Sequence, residues 1–291
     1  MILEKSLGSR MFNWINGILL AIVAMLCVFP FLHVVGSSFA TNAEIASKKF
    51  LLFPTDFTFD AYKYIFSTDT IIRALVISIL ITVGGTLWSM LFSVMTGYGL
   101  SRRDIYGRRV IMFLFVFTML FNGGMIPTFI IVQETGLIDS LWALIIPSSI
   151  SVFNMIILRT FFQNLPAGLE ESAKIDGCND VGILFRIVIP CSMPVIATIS
   201  LFYAVTYWNT YMSAILYIND STKWPMQVWL RQIVVLASGL NYDASIYSDT
   251  PPPAQSVKMA TIVVTSLPII VVYPFLQKYF SKGALLGSIK A

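Results

Sequence analysis

A chain of 291 residues that is 57% hydrophobic and only 12% charged, with a mean hydropathy of +0.79, is not composed like a water-soluble globule. Its net charge of +4 is small and reads more simply as a topology signal than as a nucleic-acid or acidic-substrate surface. One His and three Cys (Cys27, Cys178, Cys191, without CxxC spacing) support neither a metal site nor a disulfide framework.

Six apolar runs follow one another along the chain, at about 14–36, 74–100, 110–132, 141–162, 191–218 and 259–279. A hydrocarbon core of ~30 Å takes about 20 apolar residues to cross as a helix. The runs lack the polar alternation of a barrel strand, so they predict an all-α membrane protein of six transmembrane helices in one domain, 1–291. The first run exceeds the ~7–15 apolar residues of a signal peptide, which makes it a retained span despite Ser38-Phe39-Ala40 behind it. Between the first two runs, 41–70 is a polar loop in which Asp60–Phe66 reads as a short amphipathic surface helix. In the third run, Phe121-Asn-Gly-Gly-Met-Ile-Pro127 permits close helix approach or an opened turn. The loop 219–257 is the longest, contains an interfacial helix around Trp224–Ile233, and ends in Pro251-Pro-Pro253.

Twelve of the 19 Lys and Arg lie on the side shared by both termini, with the dense turn Ser101-Arg-Arg-Asp-Ile-Tyr-Gly-Arg-Arg109 among them. The positive-inside rule then predicts cytosolic termini and a cytosolic loop 164–190. That loop packs Glu170, Glu171, Lys174, Asp176 and Asp180 into eleven residues of a charge-poor chain. Asn164 is placed to cap a helix there, Gly177 to end it in a left-handed turn, and Asn179 or Asp180 to start another. The expected product is a small helical knob between two spans, fit to carry a push into the bundle.

The chain offers no G-x-x-x-x-G-K-[ST] phosphate cradle and no catalytic constellation around its lone His33, an interfacial hydrogen-bonder by position. Near mid-membrane the runs keep no ionisable residue of the kind ion-coupled carriers use. Energy for any transport must therefore come from outside the chain. In the fifth run Tyr203, Tyr207, Trp208, Asn209 and Tyr211 suit sugar rings, and suit helix packing with an aromatic belt as well.

Glu171-Ser-Ala-Lys-Ile-Asp-Gly177, followed by Ile187-Val-Ile-Pro190, resembles the EAA loop of ABC importer permeases, Ser172 standing for the usual first Ala. Tyr98-Gly-Leu-Ser-Arg-Arg103, Trp208-Asn-Thr-Tyr211, Met226-Gln-Val-Trp-Leu-Arg231 and the tail 276–290 are similar to the carbohydrate-uptake branch. Within it the likeness is to permeases for oligosaccharides and aldouronate-type sugars of the LplC and YtcP kind, over nearly the whole chain. The resemblance implies a type I (MetI-like) importer fold in a bacterial inner membrane, without enzyme activity. It implies a coupling helix with Glu171, Ser172, Ala173, Asp176, Gly177 and Pro190, and a tail contact to ATPases at Gly283, Gly287 and Lys290. It also implies a binding-protein contact on the last external loop, with Tyr242, Asp243 and Tyr247. Asn122, Tyr207, Trp208, Asn209 and Tyr211 are the pathway candidates. Implied partners are a second permease, two ATPase subunits that hold ATP and Mg, an external solute-binding protein, lipid and an oligosaccharide, with no nucleic acid. Two other readings compete, a self-sufficient secondary carrier and a membrane scaffold or receptor docking a cytosolic protein.

Overall fold

In hydrocarbon every peptide group must find a partner within its own segment, and an apolar run does so by coiling into a helix. The computed structural model describes residues 7–48, 50–102, 104–121, 123–237 and 255–288, and among them an isolated Ala40–Phe57 bridge is the sole β feature. α1 (Leu7–Ser38) leads into the short α2 (Asn42–Ser47) and α3 (Asp60–Ser67), then into α4 (Asp69–Ser101). α5 (Arg108–Leu120) and α6 (Met125–Glu134) share the third apolar run; α7 (Trp142–Ile145) and α8 (Val152–Gln163) share the fourth. The polar segment forms α9 (Ala167–Ile175), α10 (Asp180–Ile183), a π-helical turn at Leu184–Val188 and α11 (Ile189–Cys191). α12 (Met193–Trp208) and α13 (Met212–Tyr217) divide the fifth run, and α14 (Met226–Ala237) and α15 (Gln255–Ser288) follow.

Among the described residues three helices are long and apolar enough to cross a membrane, Gly8–Ser38, Asp69–Ser101 and Gln255–Val272, and the number reaches six when each bent pair counts as one span. Prolines mark the bends. Pro127 stands in the first turn of α6, Pro147 in the 3-10 turn Ile146–Ser148, and Pro190 and Pro194 at the starts of α11 and α12. A first turn has no use for the missing N–H, so proline there costs little and sets the new direction. α7 and α8 meet at 53°, and α12 leaves the 180–191 segment at 87°. Asn209 ends α12, its N–H and its side-chain amide both donating to Val205 O (3.1 and 2.8 Å). The apolar run 191–218 is thus two helices where hydropathy alone reads one.

The described residues fall into two compact units, one from residues up to 69 with 230–266, the other from 70–229 with 267 onward. In the first, the segment after α1 folds back onto its end. The Leu51 N–H donates to His33 Nδ1 (3.1 Å), Tyr62 and Ser38 hydroxyls meet at 2.8 Å, and Phe39 stacks on Phe57 and Tyr62. Gly36 leaves room for this return, because a Cβ there would sit 2.5 Å from Leu52 O. The Glu44 carboxylate anchors the turn. It accepts from Lys48 Nζ (2.7 Å), from the Thr55 N–H (2.8 Å) and hydroxyl (2.6 Å), and from the Asp56 N–H (3.3 Å). These donors, Lys48 foremost, hold its pKa down to about 2 from an ordinary 4.5.

In the second unit, two tyrosines on α12 tie α4 to the bent fourth run. Tyr207 and Ser89 hydroxyls lie 2.7 Å apart, and Tyr207 also donates toward Ile145 O and Ser148 O (3.3 and 3.4 Å). Tyr203 meets Ser93 (2.6 Å) and accepts the Ser151 N–H (2.9 Å), a donor freed by the bend. The Tyr207 ring lies against Gly85, where a Cβ would come within 2.8 Å of it. At the other end of the fifth run, Asp139 adopts φ 62° and its carboxylate accepts from the Asn219 and Asp220 N–H groups (3.2 and 3.0 Å) and from Lys223 (2.9 Å). This clamp closes the loop after α6 onto the segment after α13.

Two outcomes follow for stability in detergent. Gly85→Val drives a branched side chain into the Tyr207 ring and lowers the thermal midpoint, with an overpacking cost of about 1–3 kcal/mol. Glu44 is depressed, so its contribution is complete above 4.5 and is lost only as pH falls through about 2. The deficit of Glu44→Gln in thermal midpoint is therefore the same at pH 7 and pH 5 and shrinks only in stronger acid.

Candidate functional site

The polar segment 164–191 is built as a capped knob. Asn164 closes α8, its N–H reaching Phe161 O (3.0 Å), and does not open α9 as its sequence position had indicated. Leu165 precedes a proline and is thereby biased out of helical geometry, so the new helix waits until Ala167. At the far end Gly177 takes φ +79°, the Cys178 N–H bonds Ala173 O (2.9 Å) and the Gly177 N–H bonds Lys174 O (3.1 Å). That pair of bonds is the Schellman closure, and it needs the left-handed residue that Gly supplies without strain. Asn179 Oδ1 then accepts the Gly182 N–H (2.8 Å) and starts α10 within three residues. The two short helices are thus joined by a turn with no slack.

The five charges at 170–180 divide by role. Glu170 turns inward to pair with Arg102 at the end of α4, both side chains four-fifths buried (17% and 19% exposed). Arg102 also lies 4.5 Å over the Tyr98 ring and bonds its hydroxyl, and it reaches Asp180 at 3.9 Å. Lys174 approaches Asp180 at 3.7 Å, and Arg108 donates to Arg102 O (2.9 Å). Two more bonds fix α8 to the same end of α4, Arg159 Nε to Leu100 O (2.9 Å) and Gln163 Nε2 to Ser101 O (3.4 Å). Glu171, Ser172, Asp176, Gly177 and Pro190 remain exposed. So do Leu169, Val181, Phe185 and Ile175, the last 86% exposed although it lies in none of the membrane-length runs. Ala173 is 6% exposed and packs among the core residues, so its small size serves the seat of the knob and not its outer surface. Arg102 and Glu170 were missed as a pair, since each looks in sequence like an ordinary charge at a membrane boundary.

Of the pathway candidates, Tyr207 is buried and spent on the bonds above, Trp208 is buried, and Asn209 is the exposed cap of α12. Tyr211 is partly buried against the core. Asn122, Tyr242, Asp243, Tyr247 and Lys290 lie outside the described residues, while Gly283 and Gly287 fall on α15. A recess of about 740 Å³ borders the bend of the fourth run, with Ser148, Ser151, Asn154, Tyr203 and Thr206 on its walls. Sequence reasoning left it unnoticed, because its polar residues are brought together by a bend that hydropathy does not report.

The chain as a whole is similar to known proteins. Residues 89–285 match the family profile described as binding-protein-dependent transport system inner membrane component. The chain is 61% identical over 283 residues to the polygalacturonan/rhamnogalacturonan transport system permease protein YtcP of Bacillus subtilis (strain 168), covering 97% of this chain and 99% of that one. It is 48% identical to the protein LplC of the same organism, over 99% of this chain and 98% of the other. A chain in the crystal structure of a bacterial ABC transporter involved in import of the acidic polysaccharide alginate superposes with a TM-score of 0.86 at 34% identity, covering 94% and 98%. With a profile over most of its length and a relative this similar, the chain belongs to the inner-membrane components of binding-protein-dependent transport systems, as a non-catalytic permease subunit of an ABC importer.

Proposed function

We propose that this permease imports oligosaccharides cut from acidic polysaccharides, and that the α9–α10 knob is where cytosolic ATPase subunits drive it. The knob carries the proposal. It is tied to α4 by a shielded ion pair, yet it offers outward an apolar and acidic surface that nothing among the described residues covers. Exposed Leu169, Ile175, Val181 and Phe185 are the kind of surface a partner buries, and Glu171 and Asp176 beside them suit a basic groove. Two ATPase subunits with ATP and Mg, a second homologous permease and an external solute-binding protein complete the machine. Both termini are cytosolic by the distribution of Lys and Arg. The tail around Gly283, Gly287 and Lys290 is a second ATPase contact, and Tyr242, Asp243 and Tyr247 meet the binding protein. The sugar class is supported by what the relatives' names state, polygalacturonan and rhamnogalacturonan for one and alginate for another.

The experiment is ATPase stimulation by sugar-loaded binding protein in the reconstituted complex. Ile175→Asp and Glu171→Lys abolish stimulation by failing to seat the ATPases, which co-purification reads directly; full stimulation in both would refute the docking role. Arg102→Glu leaves a like-charge pair with Glu170 and lowers stimulation about tenfold, within the ~1–3 kcal/mol typical of a coupling free energy. Adding Glu170→Arg to Arg102→Glu restores most of it. A double variant no better than the single one would show that the pair does not transmit.

A further inference from the structure

Among the described residues Asp139, in the turn between α6 and α7, is the single non-glycine residue with positive φ. Aspartate tolerates this region better than most side chains, but the conformation still has to be held by its surroundings. The holding comes from one segment some 80 residues on. Besides the carboxylate bonds described above, the Asp139 N–H donates to Tyr217 O (2.7 Å) and its carbonyl accepts from Lys223 Nζ (2.8 Å). Asp220 closes the same segment on itself, accepting from the Thr222 N–H (2.9 Å) and hydroxyl (2.7 Å). Stability is not what this cluster supplies. The Lys223 and Asp139 side chains are 39% and 36% exposed, and an ion pair so open to water contributes little. It fixes a heading instead. Directly after it Trp224 Nε1 donates to Ile218 O (3.0 Å), and the Met226 N–H donates to the buried Ser78 hydroxyl on α4 (2.8 Å). Asn219, Ser221 and Thr222 stay exposed at the tip, as do Gln133, Glu134 and Thr135 on the way into the Asp139 turn.

From this geometry we infer that Asp139 and Lys223 are positioning residues for the solute-binding protein: they hold the polar rim formed by 133–140 and 217–223 in the arrangement on which that protein docks. The inference rests on the orientation proposed above, which puts this rim outside the membrane. The pair acts through the rim and makes no contact with the sugar. A rim free to wander is competent to dock only part of the time, and the apparent affinity falls by that fraction. Saturating binding protein restores the competent arrangement, because it selects the form it binds. The cluster therefore sets how much binding protein is needed and leaves the turnover of the docked complex alone.

The test titrates solute-binding protein, loaded with trigalacturonate, against the ATPase activity of the complete transporter in nanodiscs. Asp139→Gly keeps the positive φ without strain and removes the carboxylate. It is expected to raise the half-saturating concentration of binding protein about tenfold, as a competent fraction of about one-tenth does, with the maximal rate and the thermal midpoint retained. Lys223→Met acts alike, while Lys223→Arg keeps the charge and stays close to the unsubstituted complex. Asp139→Asn retains the turn and an acceptor for the Asn219 and Asp220 N–H groups, and gives a smaller rise in the same direction. An unchanged half-saturating concentration in Asp139→Gly and Lys223→Met overturns the positioning role, whatever happens to the thermal midpoint or the maximal rate. The orientation is read separately. With Cys27, Cys178 and Cys191 replaced by Ser, Thr222→Cys is expected to react with a membrane-impermeant maleimide added to intact cells. Reaction only after the cells are opened overturns the orientation and the rim with it. An unsubstituted complex that loaded binding protein fails to stimulate overturns the proposed function together with the rim.

Discussion

A peptide group in hydrocarbon has no water to fall back on, and this chain bends its apolar runs where a straight helix would have satisfied every one of them. The bend of the fourth run is affordable because Tyr203 and Tyr207 reach across from α12, one accepting the freed Ser151 N–H, the other donating to Ile145 O and Ser148 O. Both hydroxyls also pair with serines of α4, so the same two side chains position three segments at once. Gly85 is the matching concession on α4, giving up a side chain so that the Tyr207 ring can approach. Break that stitching and the bend loses its partners, the recess its shape and α8 its entry angle. A tyrosine serves here as no aliphatic residue could, filling core volume with its ring while its hydroxyl replaces a missing backbone bond.

The second constraint acts at the other end of α8. There Arg102 is surrounded by the Tyr98 ring, Glu170 and Asp180, while its own carbonyl is bonded by Arg108. An ion pair this shielded gains little over a hydrophobic contact, but losing either partner leaves a stranded charge, so it fixes position more than it adds stability. With the Arg159 and Gln163 bonds to the end of α4, the knob, α8 and α4 are held as one piece. Under the proposed docking role, a displacement of α9 would have a short path to the bend at 146–151 and would link a push at one end to access at the middle.

Much of this was legible in the sequence, for physical reasons that differ by element. The long runs announce themselves by hydropathy, and α3 by an apolar face over Asp60–Ser67 in a polar loop. Gly177 and Asn179 were readable because caps are local: each satisfies backbone groups within four residues of itself. Asn164 misled for the same reason in reverse, since it has capping chemistry but the Leu165-Pro166 step behind it forbids a helix start. Tyr207 fits a sugar site as well as a packing role, and only its neighbours Gly85 and Ser89 decide for packing. Ala173 was read for its smallness correctly and for its direction wrongly. The Arg102–Glu170 pair and the Asn154 recess join residues far apart in the chain, and neither periodicity nor spacing encodes such a meeting.

The central claim is that knob and bundle move together. Spin labels at Ile175 on the knob and Met95 on α4, both exposed, report it by a distance distribution measured in the complex without nucleotide and with ATP trapped. A single distribution unchanged between the two states is the result predicted for a rigid lever. A distribution that shifts or splits when ATP closes the ATPases would mean the knob swings on its own, and the transmission through Arg102 would be contradicted.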